Sequence, residues 1–233
     1  MNQQTDLATQ QIYHISFVIV PIILLVIGLI SYRKKRKRLE GLSELAKAKG
    51  WRYNKSADAA LTTKVPGFPF AYAGDDGPED DALFESLFLG ESIAPADSNK
   101  WVLFDYFVEA GKYKYKIEYA ILIVKTGLMG ERIDVSSDTF SMLVDGEEEN
   151  FNRKNAIGFP DYSDFNKVYM VHCKDTDFAR KVLSSSTITK IRAIGASHIV
   201  YQNGYLMVLY PGPWKSEMVG PALNSVLELE KQI

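Results

Sequence analysis

Few residues in this chain are equipped for chemistry. His172 and Cys173 are adjacent, His198 lies further on, and Asp105, Asp161, Asp164, Asp175 and Asp177 supply carboxylates. A thiol beside an imidazole, oriented by a carboxylate, would be a nucleophile for acyl transfer or hydrolysis. Successive strand residues point to opposite faces, so His172 and Cys173 cannot form a dyad with each other. Cys173 and His198 could meet only if two distant strands pair. The simpler reading is a buried structural thiol, with most of the aspartates as turn and cap residues. The chain has no Gly-x-Ser-x-Gly elbow, phosphate-binding Gly-Lys-Ser/Thr loop, Gly-x-Gly-x-x-Gly fingerprint or His-Glu-x-x-His helix. No catalytic residue, cofactor or metal ligand is assigned, and the chain reads as non-enzymatic.

A second group of residues is chemically stronger. Arg33, Lys34, Lys35, Arg36, Lys37 and Arg38 form an unbroken basic run directly after an uncharged apolar stretch, Ile12–Ile30. Such a run is attracted to anionic lipid headgroups at about 1 kcal/mol per charge. Nineteen uncharged residues in a helix reach roughly 28 Å, near the ~30 Å core of a bilayer. A cleaved signal peptide carries its positive charges before the apolar run, whereas here they follow it. The pattern predicts a transmembrane helix over 12–32, a short extracytoplasmic N-terminus over 1–11 and a basic juxtamembrane collar over 33–38. By the positive-inside rule the remaining chain, 39–233, is expected in the cytoplasm of a single-pass membrane protein. A nucleic-acid role finds no support: the collar lacks aromatic platforms, and residues 39–233 are net −7 against +5 for the first 38.

The elements that would position these residues can be read from periodicity. Leu39–Lys49 has a helical apolar face with Gly50 as a stop. Trp51–Tyr53 reads as a short strand, and Ala57–Thr63 as a short helix. The acidic Gly74–Asp81 lacks the ligand spacing of a calcium loop and reads as solvated. Ala82–Leu89 reads as a strand, and Glu91–Lys100, with Pro95, as a loop. Trp101–Val108 and Tyr113–Lys125 form a hairpin; in the second segment tyrosines and isoleucines alternate with lysines at period two. That alternation places the tyrosines in the core, which argues against a base-stacking role for Tyr113–Lys116. Glu131–Val135 and Lys167–Lys174 are further strand candidates. Asp175 is placed to cap a helix over Thr176–Leu183, and Thr187–Ile194 reads as a second helix. Asn203-Gly204 between Ser197–Tyr201 and Tyr205–Tyr210 is a strong hairpin turn. A last helix follows Trp214, interrupted or begun at Pro221. The whole is an α+β chain, a single transmembrane helix followed by a domain with a mainly antiparallel sheet and packed helices. A division into two subdomains would fall near 145–160.

Several short motifs occur in a familiar order: Gly50-Trp51-Arg52-Tyr53, Gly67-Phe68-Pro69-Phe70, Phe104-Asp105-Tyr106, Asp164-Phe165-Asn166 leading to Val171, and Asp175-x-Asp177-Phe178-Ala179 leading to Val182-Leu183. In this order the chain resembles a widespread group of uncharacterised bacterial membrane-anchored proteins of unknown function. The resemblance implies no activity and no site residue. Two functional expectations follow. The first is a non-enzymatic interaction or scaffold module at the membrane surface, with a lipid or protein partner. The second is a hydrolase or small-ligand sensor with a site assembled from His172, His198 and nearby aspartates.

Overall fold

The computed structural model describes residues 3–54, 84–95, 100–110, 115–137 and 155–233, with the side chains of the first helix described from Ile19. The expected helix at Ala57–Thr63, the turn Val65–Phe70 and the acidic loop Gly74–Asp81 lie outside these residues, as do Tyr113 and Lys114. The chain divides into two compact units, Met1–Leu45 and Ala46–Ile233.

The first unit is helical. Helix α1 runs Gln3–Ala48, and Gly50 in the left-handed region (φ 67°) ends it. A left-handed residue just past the last turn satisfies helix-end carbonyls, and glycine adopts it without steric cost. The transmembrane helix, and with it the single-pass membrane localisation and cytoplasmic placement expected from the sequence, is corrected here. Among the described residues, no helix is long and apolar enough to cross a membrane. From Ile19, where the described side chains of α1 begin, twelve residues reach Ile30 without a charge. Six consecutive charged residues then follow within two positions.

The second unit is built on an eight-stranded sheet in the order β1-β2-β3-β4-β8-β7-β5-β6. The strands are β1 Trp51–Asn54, β2 Phe84–Pro95, β3 Trp101–Ala110, β4 Tyr115–Lys125, β5 Ile133–Ser137, β6 Tyr169–His172, β7 His198–Gln202 and β8 Tyr205–Pro211. All seven neighbouring pairs are antiparallel. The expected α+β character and antiparallel sheet are therefore present. Among the described residues, four helices accompany the sheet: α2 Ser163–Val168, α3 Thr176–Val182, α4 Ser185–Ile194 and α5 Ser216–Glu230.

Local chemistry accounts for the well-formed connections. Asn203 (φ 48°) and Gly204 (φ 78°) both take positive φ at the β7–β8 turn, as a two-residue hairpin requires. Asp175 caps α3 by accepting the Phe178 N–H at 2.9 Å, which satisfies one of the free first-turn donors. Two boundaries differ from expectation. Strand β2 continues through Glu91 to Pro95 rather than stopping at Leu89; Pro95 sits at its very end, opposite Trp51, where the missing N–H interrupts no interior ladder. The expected strand Lys167–Lys174 is shorter. Lys167 and Val168 close helix α2, whose Phe165 is buried while Val168 is exposed.

The centre of the sheet is apolar on both faces. Phe104, Ile121, Ile123, Met207 and Leu209 are buried on one side, and Leu103, Leu122, Val208 and Ile199 on the other. A doubly covered sheet loses the alternating signature of a half-exposed one. The edge strand β6 is blunted, since the Val171 carbonyl accepts the Ile157 N–H at 2.7 Å and the Tyr169 N–H is spent on Phe165 O. A covered edge does not template pairing with another chain.

Candidate functional site

The pairing of β5, β6 and β7 assembles a polar cluster that sequence reasoning had in part. Ser136 lies opposite His198, while Asp134 lies opposite Val200 on one side and His172 on the other. Period-two alternation then puts Arg132, Asp134, Ser136, His172 and His198 on one face of the sheet. Asp134 is the hub. Arg132 donates to it through Nε at 2.6 Å to Oδ2 and through Nη2 at 2.8 Å to Oδ1. His198 Nε2 lies 3.2 Å from Asp134 Oδ1. The bidentate guanidinium–carboxylate fork is the strongest common form of this contact.

The protonation states follow from burial and partners. His198 is 0 % exposed and Asp134 5 %. Burial by itself would push the Asp134 carboxyl up. The hydrogen bonds and charges of His198 and Arg132 outweigh it and hold Asp134 at about 2. His198 is lowered, chiefly by burial and further by Arg132 and His172, with Asp134 pulling back up. Distance alone would admit a His198–Asp134 ion pair. The sealed imidazole is instead neutral at pH 7, so Nε2–H donates to an ionised Asp134 that is charge-balanced by Arg132.

A second carboxylate is buried on the opposite face of the sheet. Asp105, opposite Ala120 in β3 and 5 % exposed, accepts the Trp214 backbone N–H at 2.8 Å through Oδ1. The Trp214 indole donates to Ile121 O at 3.1 Å. These two bonds pin the segment between β8 and α5.

The expected candidates are thus sorted. Strand β6, which leads into Cys173, does not pair with the strand of His198, because β5 lies between β6 and β7; His172 and His198 instead flank an aspartate on β5 from either side. That aspartate is Asp134, which the sequence reading passed over together with Arg132; the available signal was Asp134 and Ser136 at period two between Ile133 and Val135. Asp175 is a cap, Asp164 makes an exposed pair with Lys167 at 3.2 Å, and Asp161 and Asp177 are exposed. Cys173 lies just past β6, half-buried, and burial first, then the charges of Asp175, Glu131 and Asp134, push its thiol up. A raised thiol carries little thiolate at neutral pH and is a poor nucleophile.

Convergence here comes without access. Asp134, Ser136 and His198 have essentially no exposed surface. A hollow near the β7–β8 turn, lined by Leu128, Gly130, Phe178, Tyr201 and Gln202 among others, encloses no space that a water molecule could occupy. Among the described residues, no group of three or more His, Cys, Asp or Glu side chains is placed to hold a metal ion.

The basic run lies on α1. Arg33, Lys34, Lys35, Arg36 and Lys37 are exposed and Arg38 is half-exposed. Arg36 Nε donates to Glu40 Oε1 at 2.7 Å, one helical turn on. Immediately before the run, Ile19, Val20, Ile22–Ile27, Leu29 and Ile30 are each 45–63 % exposed. Large apolar side chains exposed in a contiguous run are an unusual feature of a protein surface.

No protein-family model matches the chain, and no curated protein matches it either. Among solved structures it is similar in outline to the mycobacterial trehalose monomycolate transport factor A, with a TM-score of 0.48 and 13 % identity over 84 % of this chain and 92 % of that one. A likeness at that level is weak, and no specific function follows from it.

Proposed function

We propose that this chain is a non-enzymatic interaction module that docks on an anionic lipid surface through helix α1. The observation that carries this reading is the contiguity of ten exposed apolar side chains at 19–30 with the basic run Arg33–Arg38. The two halves suit the two layers of a lipid surface. At roughly 1.5 kcal/mol for full burial of each apolar side chain, and with about half of each already covered, the apolar term is on the order of 7 kcal/mol. The basic run adds a term of similar order at about 1 kcal/mol per charge near an anionic surface. The burial of Asp134 and His198 supports the non-enzymatic half of the reading, since neither side chain presents itself at the surface.

The test is flotation of the full chain with vesicles of phosphatidylcholine alone and of phosphatidylcholine with phosphatidylglycerol, at 50 and 500 mM salt. The expected result is binding at least tenfold tighter to the anionic vesicles at low salt. Changing Arg33–Arg38 to six glutamines should abolish that preference. Equal partition into both vesicles at both salt concentrations, or an unchanged preference in the glutamine variant, would refute the proposal.

A further inference from the structure

We propose that the Arg132–Asp134–His198 cluster is an acid-sensitive latch that holds strand β5, and with it edge strand β6, onto β7. Its position suits that task. Strand β5 is the link between the edge and the rest of the sheet, and its pairs with β7 and β6 are only four residues long each. By contrast β3 and β4 pair over ten residues. Short pairings at an edge open locally at lower cost than a central ladder. The cluster straddles the short junction: Asp134 is on β5, His198 on β7, and His172 faces Asp134 from β6.

Charge explains the direction of the switch. The groups facing His198 among the described residues are Asp134, Arg132 and Ser136 from β5 and His172 from β6; its neighbour on β8 is the apolar Leu209. One negative charge, Asp134, is already shared with Arg132. A proton on His198 would add a second positive charge at a fully buried imidazole beside a carboxylate that Arg132 already holds, so the closed state resists it. The open state does not, because an exposed imidazole titrates near 6.5. Acidification therefore favours opening. For His198 the pKa is depressed in the closed state, so its contribution is present above ~6.5 and is lost as pH falls below that value. Asp134 acts oppositely but lower: held at about 2 against an ordinary 3.8, it contributes nothing pH-dependent between 7.5 and 5. With His198 unprotonated while closed, the closed-to-open ratio falls about thirtyfold between pH 7.5 and pH 5.

Hydrogen exchange on the full chain reads this directly, as protection factors corrected for the intrinsic pH dependence. Amides of 133–137 and 169–172 should lose about thirtyfold in protection between pH 7.5 and pH 5, while amides of 120–124 in β4 hold. His198→Gln, whose amide can still donate to Asp134, should cut the loss to under about threefold. NMR titration of the His198 imidazole in the unmodified chain gives a second reading that needs no variant, with titration displaced below that of an exposed imidazole expected for the closed state. The latch is overturned by equal protection at the two pH values. It is also overturned by an equal loss in β4, by an unchanged loss in His198→Gln, or by an imidazole that titrates near 6.5 in the closed chain.

Discussion

Replacing Asp105 by alanine should destabilise the sheet unit by about 2–3 kcal/mol without opening its edge. The carboxylate is buried in the middle of β3, on the same face as the buried Leu103 and Ala120. It accepts the Trp214 N–H at 2.8 Å, and Trp214 in turn donates its indole N–H to Ile121 O at 3.1 Å. A hydrogen bond to a charged group is worth roughly 1.5–3 kcal/mol, and a buried N–H left without an acceptor costs a similar amount. The truncated side chain adds little cavity, so about 2–3 kcal/mol is the combined effect. For a unit of this size each kcal/mol moves the midpoint by about 2–4 °C, giving a fall of about 5–10 °C in thermal unfolding. Asp105→Asn keeps an oxygen in place to accept the same N–H and should cost less than half as much. The assay is calorimetric unfolding of the full chain and both variants. If alanine and asparagine are equally costly, the Trp214 contact is not what Asp105 contributes. If alanine costs under about 0.5 kcal/mol, the bond does not hold the β8–α5 segment at all.

Two further perturbations test other parts of the fold. Asp134→Ala leaves Arg132 and His198 facing each other in a sealed site; removal of one partner from a buried ion pair typically costs about 3–5 kcal/mol, to be read as a shift in the urea midpoint. Gly130→Ala places a Cβ on the Phe178 ring of α3. It should cost about 1–3 kcal/mol through overpacking, and much of that cost should disappear when Phe178 is also changed to alanine.

Legibility from sequence tracked the range of the interactions involved. The β3–β4 hairpin, the Asn203-Gly204 turn and the Asp175 cap depend on neighbours within a few residues, and each was visible as a local pattern. The sealed cluster was not, because it depends on which strand lies beside which. Asp134 in Ile133-Asp134-Val135 reads as the wet face of a half-exposed strand. Only the order β7-β5-β6 reveals that both faces there are covered. The same blindness gave an over-long strand at Lys167–Lys174, where the alternation of Val168, Met170 and His172 continues smoothly across a helix end. The expected membrane span over 12–32 is a separate case: among the described residues no helix is long and apolar enough to cross a membrane, and six consecutive charges follow Tyr32 on the same helix.

The two buried carboxylates point to one design logic. Asp105 and Asp134 lie on opposite faces of the same sheet, each at a strand junction that apolar contacts alone leave ambiguous. Strand β8 and the Tyr119–Val124 part of β4 are apolar or aromatic on both faces. A one-residue slip there exchanges one apolar set for another and costs little. Where a strand carries a buried aspartate the same slip is forbidden. Moving β5 by one residue would turn Asp134 toward the face of Ile199 and Tyr201 and strand Arg132 from its fork. Moving β3 would take Asp105 away from the Trp214 N–H. Buried charges add little net stability, but here each converts a permissive apolar register into a single one. The Asp134 site carries a cost that the Asp105 site avoids: its partner is a histidine, so the register it enforces weakens as the solution becomes acidic.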